Sequence, residues 1–106
     1  MNTMSYKLRF VQKFELGRSP EFLAIEKQFA QFEEQYPEFP KGRRYLPLTG
    51  MHPSNTLIWE SDFDSLEELH KAHQFLMEDN RHEELFQQQA VYILDAYTEI
   101  YRPYDS

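Results

Sequence analysis

Apolar and polar residues alternate at the start of the chain, from Tyr6 to Leu16. The apolar positions share one face and are Tyr6, Leu8, Phe10, Phe14 and Leu16. This period of two predicts a β-strand with one buried face. Gln12 interrupts the apolar row, and a buried amide without a partner costs roughly 1 to 3 kcal/mol. We therefore expect Gln12 to bond to His73, to water or to a ligand.

A helix is predicted to start at Ser19, Pro20 and Glu21. These residues supply an N-cap hydroxyl, a first-turn dihedral fixed by proline, and an acid near the positive end of the helix dipole. Apolar residues then recur at spacings of three and four up to Pro37, and they are Phe22, Ile25, Phe29, Phe32 and Tyr36. This spacing places them on one helix face, which we interpret as core.

Two further strands follow the first helix. The second is predicted over Arg43 to Thr49, and Pro47 places it at a sheet edge because proline cannot donate to a ladder. The third is predicted over Thr56 to Phe63. Its alternation puts on one face Leu57, Trp59, Ser61 and Phe63.

The second helix is predicted to be capped by Asp64 or Ser65, because a glutamate lies three residues further on. Its apolar stripe is Leu66, Leu69, His73 and Leu76, with His70 and Met77 on the flank. The helix is expected to be interrupted around Asp79 to Arg81 and to continue afterwards for one or two turns. Strand four is predicted over Val91 to Arg102. One of its faces carries Tyr92, Leu94, Ala96, Thr98 and Ile100, and the other carries Ile93, Asp95, Tyr97, Glu99 and Tyr101.

The predicted order βαββαβ indicates an α+β, ferredoxin-like sandwich. It consists of a four-stranded antiparallel sheet with two helices on one face, and residues 1–106 form a single domain of ordinary size. In this topology strand one is central. Its helix-free face carries Lys7, Arg9 and Lys13, which would lie between the acids of strands three and four, Glu60, Asp62, Asp95 and Glu99. Such cross-strand pairs stabilise a sheet by roughly 0.2 to 1 kcal/mol each.

Composition excludes several classes of function. A net charge of -7 argues against nucleic acid as a partner, because phosphates bind concentrated basic surfaces. The sequence contains no cysteine, so it has neither a disulfide frame nor a thiolate nucleophile. No signal-peptide pattern and no run of 18 apolar residues is present. We therefore expect a cytoplasmic protein with no membrane partner.

The element order, the "WESDFDSLEEL" junction and the "EDNRHEELF" segment resemble the dimeric α/β-barrel superfamily. Its members include proteins similar to NIPSNAP proteins and antibiotic-biosynthesis or haem-degrading monooxygenases. The resemblance implies a homodimer in which two sheets pair through their helix-free faces, with strand two meeting strand four of the partner. It also implies a pocket between helices and sheet, into which Gln12, Trp59 and His73 are predicted to project.

The haem-degrading branch of the superfamily has an Asn on strand one, a Trp and a helix-two His in that pocket. This chain has Gln12 instead of the Asn, so no catalytic role is carried over. No cofactor is predicted. Haem is the cofactor that the resemblance to the superfamily suggests. No metal site is predicted either, because Glu67 and His70 form a single Glu-x-x-His pair and Glu67 also suits a capping box.

Each candidate residue has a structural alternative. His73 is the catalytic candidate, since a neutral imidazole acts as a base near pH 7, but it also suits a core edge with a backbone partner. Trp59 either packs the core or stacks on a ligand. His52 and His82 receive no role.

Three functions follow from these residues and from the resemblance. The first is a homodimer that binds a small apolar or aromatic ligand near Gln12, Trp59, His70 and His73. The second is a structural or interaction dimer without enzymatic activity. The third is a monooxygenase-like enzyme. The sequence leaves open whether the chain is an enzyme at all.

Overall fold

Four strands and three α-helices make up residues 5–105, which the computed structural model describes. The elements are β1 (Tyr6–Phe14), α1 (Ser19–Gln35), β2 (Arg43–Tyr45), β3 (Thr56–Phe63), α2 (Leu66–Glu78), α3 (Asn80–Ala90) and β4 (Ile93–Tyr101). The strands form one antiparallel sheet in the order β2-β3-β1-β4. The predicted α+β, ferredoxin-like fold with a central first strand is confirmed. Residues 1–4 and 106, which the predicted single domain includes, lie outside the described residues.

The two faces of the sheet differ in chemistry as the alternation predicted. On the helix side, the Phe10 ring stacks on the Trp59 ring at 5.0 Å and lies 5.9 Å from the His73 ring of α2. On the opposite face, Arg9 pairs with Glu60 at 3.0 Å. Period-two patterning therefore assigned these positions to the correct faces.

Two apolar clusters fill the layer between sheet and helices. The buried members of the first are Leu8, Phe39, Trp59, Leu69 and Leu76, and those of the second are Phe14, Phe22 and Leu57. The rings of Phe14 and Phe22 stack with centroids 4.3 Å apart, which fixes the start of α1 over β1. No helix among the described residues is long and apolar enough to span a membrane.

The apolar face predicted for α1 is confirmed in part, because Phe22 and Phe29 are buried and Phe32 and Tyr36 pack against the first cluster. The buried residues of the helix are Phe22, Glu26, Phe29 and Glu33. Two carboxylates thus occupy the buried face, while Ile25 and Phe32 lie at its border, half-buried. The predicted cap is wrong, because Ser19 is the first helical residue and its hydroxyl donates to the Leu16 carbonyl at 2.7 Å.

Helix α3 is longer than the one or two turns that the sequence predicted, with 11 residues. Asp79 ends α2 and caps α3, since its Oδ1 accepts from the backbone N–H groups of Arg81 at 2.9 Å and His82 at 3.1 Å. The hydrogen bond from the Arg81 side chain is the main reason that the pKa of Asp79 lies below its ordinary value. The capping prediction for α2 is confirmed, with Ser65 Oγ accepting from the Glu68 N–H at 3.1 Å.

Two strands differ from their predicted course. Strand β2 ends at Tyr45, before Pro47, and is an edge strand of three residues. In β4 the register shifts so that Lys13 pairs with Asp95 and Phe14 with Ile93, which leaves Leu94 as a bulge. Ile93 therefore packs in the core beside Phe14, and its predicted place on the charged face is wrong.

Charges alternate in sign across all four strands on the helix-free face. Arg43, Glu60, Arg9 and Glu99 lie opposite one another in that order. The Nη2 atom of Arg9 lies 3.0 Å from Glu60, its Nη1 atom lies 3.8 Å from Glu99, and Arg43 lies 3.6 Å from Glu60. Burial opposes the charge of Glu60, but hydrogen bonds from Lys7 and Arg9 outweigh it and lower the pKa of Glu60. The predicted cross-strand pairing is confirmed for Lys7 and Arg9, whereas Asp62 pairs with Arg43 at 2.7 Å instead of with a cation of β1.

The lowered pKa of Glu60 makes part of the stability depend on pH. Because its folded-state pKa lies below the unfolded one, this contribution is complete above the unfolded pKa, about 4.3, and is lost as the pH falls through the folded pKa. We expect Glu60→Gln to reduce the free energy of unfolding at pH 7 by about 1 kcal/mol, since its partners are partly exposed. Urea titrations at pH 7 and pH 3 should show this difference shrinking in acid. Glu34→Gln, an exposed control on α1, should change little at either pH, and an equal loss for Glu60→Gln at both would contradict the assignment.

Candidate functional site

A cavity of about 200 Å³ lies between the helices and the sheet. Its apolar walls are Phe10, Phe29, Phe39, Trp59, Leu76 and Phe86. Its polar lining residues are Gln12, Glu26, Glu33, Arg44, His82 and Gln89. Ala96 and Thr98 of β4 also line the cavity and are exposed, so its open side faces this edge strand. The cavity combines an aromatic wall with a compact polar group.

An ion network of Arg44, Glu26 and Glu33 forms the polar side of the cavity. Arg44 Nε donates to Glu26 Oε2 at 2.6 Å, and its Nη1 and Nη2 atoms donate to the two oxygens of Glu33 at 3.1 and 2.5 Å. Burial opposes the charge on Arg44. The hydrogen bonds and the attraction of both carboxylates outweigh burial, so the pKa of Arg44 is raised and the guanidinium stays charged.

The network forms because α1 and β2 bring complementary residues to the same layer. Glu26 and Glu33 are seven residues apart, which is two helical turns, and so they share a face with Phe22 and Phe29. Arg44 pairs with Trp59 in the sheet register and therefore faces the helices. A cation on the edge strand thus meets two carboxylates on the helix above it.

Glu33 also fixes the wall formed by Trp59. The indole Nε1–H donates to Glu33 Oε2 at 3.1 Å, and the backbone N–H of Gly42 donates to Glu33 Oε1 at 2.9 Å. The backbone at Gly42 approaches the indole so closely that a Cβ there would lie 1.9 Å from Nε1. Stacked on Phe10 and hydrogen-bonded at its edge, Trp59 is a rigid wall whose inner surface borders the cavity.

Gln89 extends the network to α3. Its side chain is fully buried, and Nε2 donates to Glu26 Oε1 at 2.9 Å and to the Phe22 carbonyl at 3.4 Å. Among residues 5–105, its Oε1 atom has no hydrogen-bond partner. Buried polar atoms are nearly always paired, so this oxygen is an exception among the buried groups of the layer.

His82 supplies a neutral imidazole to the same cavity. Its ring centroid lies 4.9 Å from that of Phe29 and 6.5 Å from that of Phe86. Burial lowers the pKa of His82 and outweighs the attraction of Asp79, Glu83 and Glu33. At neutral pH the ring is therefore uncharged.

The four ligand-binding candidates from the sequence lie in different places. Gln12 and Trp59 line the cavity. His73, the catalytic candidate, lies beside Phe10 with ring centroids 5.9 Å apart and is not among the lining residues, and His70 is exposed on α2. The sequence interpretation missed the polar lining residues Glu26, Glu33, Arg44, His82 and Gln89. One signal pointed to the glutamates, since Phe22, Glu26, Phe29 and Glu33 follow one another at spacings of four, three and four.

The size and donor set of the cavity limit what it can hold. Pockets for cofactors and drug-sized ligands usually measure about 300 to 1,000 Å³, so a cavity of about 200 Å³ suits one or two fused rings and does not fit a haem. Within residues 5–105, no cluster of three or more His, Asp or Glu side chains is arranged to hold a metal ion.

The sheet order and the layer of helices define an α+β protein of ferredoxin-like fold. No protein-family model matches the chain, and no curated protein matches its sequence.

Solved structures share this fold over almost the whole chain. A NIPSNAP family protein from Agrobacterium tumefaciens has a TM-score of 0.75 at 18% identity, over 99% of this chain and 90% of that one. A second NIPSNAP family protein from that organism, of unknown function, has a TM-score of 0.71 at 21% identity, over 94% and 87%. An antibiotic biosynthesis monooxygenase has a TM-score of 0.70 at 7% identity, over 92% and 97%. At these identities the likeness establishes the fold alone, and it is the fold that the sequence resemblance implied.

The contact between Gly42 and Trp59 gives a direct test of the site geometry. Gly42→Ala should reduce the free energy of unfolding by about 2 to 3 kcal/mol, because the new methyl group displaces the indole and weakens its bond to Glu33. The matched control is Gly17→Ala, where an added Cβ meets nothing within 4 Å and should leave stability equal or slightly raised. Thermal unfolding of both variants, followed by Trp59 fluorescence, measures the difference. Equal melting temperatures would show that the close approach is wrong.

Proposed function

We propose that this chain is a homodimeric protein that binds a small apolar or aromatic ligand between its helices and its sheet. The observation on which this proposal rests is the cavity lined by aromatic rings on one side and by the Arg44 network on the other. Binding pockets characteristically combine apolar walls with a few fixed polar groups. The absence of cysteine supports a cytoplasmic location.

The walls suit a flat ring better than a flexible chain. Trp59 and Phe10 are held parallel, with an interplanar angle of 16°, and both rings line the cavity. Because the indole is fixed by Glu33, it does not need to be ordered when a ligand arrives. Such preorganised aromatic surface lowers the entropic cost of binding.

Binding can be followed through the single tryptophan of the chain, which lies in the cavity wall. We expect methoxynaphthalene, an uncharged two-ring probe, to change Trp59 emission and to give a measurable heat by isothermal titration. Ala96→Phe places a ring at the open side of the cavity and should weaken binding about tenfold or more, because it fills the space that the probe needs. Ala24→Phe, exposed on α1 outside the cavity, is the matched control. Absence of binding, or equal affinity in both variants, would refute the proposed site.

The dimer proposal rests on the helix-free face of the sheet. Tyr45, Ile58, Val11 and Tyr97 lie opposite one another across all four strands and form an apolar row on this face. Tyr45 and Tyr97 are 49% and 42% exposed, although they border the buried Val11. The neighbouring charged row pairs its cations with its anions, so a second copy could cover this face without bringing unpaired charge into the interface.

Sedimentation of the purified protein tests the dimer. We expect a dimer at micromolar concentration, and a shift towards monomer for Tyr97→Asp, because a carboxylate would enter an apolar interface. Ile100→Asp is the matched control, since Ile100 is exposed on the helix side of the same strand and should leave the dimer intact. A wild-type monomer at that concentration, or dissociation by the control alone, would contradict pairing through this face.

A further inference from the structure

We infer that the imidazole of His82 accepts a hydrogen bond from the hydroxyl of an uncharged aromatic ligand in the cavity. This inference rests on the proposed binding function and specifies the chemistry of its ligand. It depends on which polar atoms of the lining a small molecule can reach, and on the charges around them.

The ionic groups of the lining are bonded to one another and to their neighbours. All four carboxylate oxygens of Glu26 and Glu33 accept hydrogen bonds, and the donors are Arg44, Gln89, Trp59 and Gly42. The Oε1 atom of Gln89 has no partner among residues 5–105, but it is closed to a water-sized molecule and so cannot meet a ligand. A ligand must therefore find its polar contact elsewhere in the lining.

The imidazole of His82 is a polar group of the lining that a small molecule can reach. The residue is half-buried and borders the cavity. Its backbone N–H donates to Asp79, but within residues 5–105 its ring nitrogens have no hydrogen-bond partner. In the same part of the chain, the closed-off side-chain atoms without a partner are Thr56 Oγ1 and Gln89 Oε1, so neither ring nitrogen of His82 is closed off. A neutral imidazole offers one of its two nitrogens as an acceptor.

Aromatic rings beside this acceptor make it selective for a donor. The His82 ring centroid lies 4.9 Å from that of Phe29 and 6.5 Å from that of Phe86. These rings offer the imidazole no strong hydrogen bond and keep water from part of its surface. A ligand that fills the cavity without a donor displaces the remaining water and leaves the acceptor unpaired, which costs affinity.

The charges around the imidazole disfavour an anionic ligand. Burial lowers the pKa of His82 and outweighs the attraction of Asp79 and Glu83 at the start of its own helix and of Glu33 on α1. The ring therefore brings no positive charge near pH 7. Arg44 is already bonded to the carboxylates of Glu33 and Glu26, so the network as a whole is negative. A ligand carboxylate would meet this negative charge without a free cation to pair with.

Gln12 is the alternative recognition group of the lining. Its side chain is half-buried, and within residues 5–105 its amide also has no hydrogen-bond partner. It lies on β1 opposite Ala96, at the open side of the cavity, where water competes for its polar atoms. We therefore expect Gln12 to discriminate less than His82 between ligands with and without a donor.

Three probes on one frame separate the donor from the charge. Naphthol carries a hydroxyl donor, methoxynaphthalene has only an acceptor, and naphthoate is an anion at pH 7, all substituted at the same ring carbon. Isothermal titration at pH 7 should show naphthol binding about tenfold more tightly than methoxynaphthalene, the effect of one shielded hydrogen bond. Naphthoate should bind more weakly than either.

Variants then assign the acceptor. His82→Phe keeps an aromatic ring beside Phe29 and Phe86 but removes both nitrogens, and it should make the affinities for naphthol and methoxynaphthalene equal. His70→Phe, exposed on α2 and outside the cavity, should keep the tenfold preference. Loss of the preference in Gln12→Met with its retention in His82→Phe would overturn the assignment.

Proton NMR of the histidine rings gives a readout in the wild-type protein. Naphthol should lower the pKa of His82 more than methoxynaphthalene does, because a hydrogen bond from the hydroxyl favours the neutral ring. The ring signals of His70 should titrate in the same way with and without either probe, since this residue is exposed outside the cavity. An unchanged or raised pKa of His82 in the presence of naphthol would contradict the inference.

The outcomes distinguish this inference from the proposed function. If no probe binds the wild-type protein, both fail. If all three bind with similar affinity, or if naphthoate binds most tightly, the cavity is a binding site but the inference is wrong. The order of affinities and the His82 titration in the wild-type protein decide this even if His82→Phe does not fold.

Discussion

The ion network of Arg44 with Glu26 and Glu33 joins helix α1 to the edge strand across a region that is largely closed to water. Removing ions from water costs several kcal/mol each, and the attraction between them repays this only when the geometry is close and the remaining oxygens are bonded. Here Glu26 Oε1, which Arg44 leaves free, accepts from Gln89, and the two Glu33 oxygens accept second bonds from Trp59 and Gly42. The hydrogen bonds that offset the cost of burying these ions therefore also fix the cavity wall, the loop before β2 and the side-chain amide of Gln89 on α3.

Much of the fold was predictable because it depends on local chemistry. Period-two alternation put Phe10 and Trp59 on the helix side and Arg9 on the other, and the sheet register confirms it. Ser65 was recognisable as a cap because its hydroxyl serves the N–H three residues later. The order of the strands followed from the topology that these elements imply, and the cross-strand charges agreed with it.

The candidate site was less predictable because its partners are distant in sequence. Glu26 and Arg44 are 18 residues apart, and Glu26 and Gln89 are 63 apart. A glutamate on a helix is usually solvated, so burial was not expected until a cation on β2 was placed opposite it. His82 was overlooked for the same reason, since the ring beside it in the cavity, Phe29, belongs to α1. Gln12 and Trp59 were found because strand alternation alone directs them inward.

The bulge at Leu94 gives β4 an unusual tolerance to changes in length. Phe14 pairs with Ile93 and Lys13 pairs with Asp95, so Leu94, which lies between these two partners, pairs with no residue of β1. Deleting a residue elsewhere in a regular strand inverts every side chain on one side of the cut. Deleting Leu94 would instead leave Ile93 inside and Asp95 outside, with both segments of the strand still in phase. Related chains that differ in length by one residue can therefore accommodate the difference here without rebuilding the sheet.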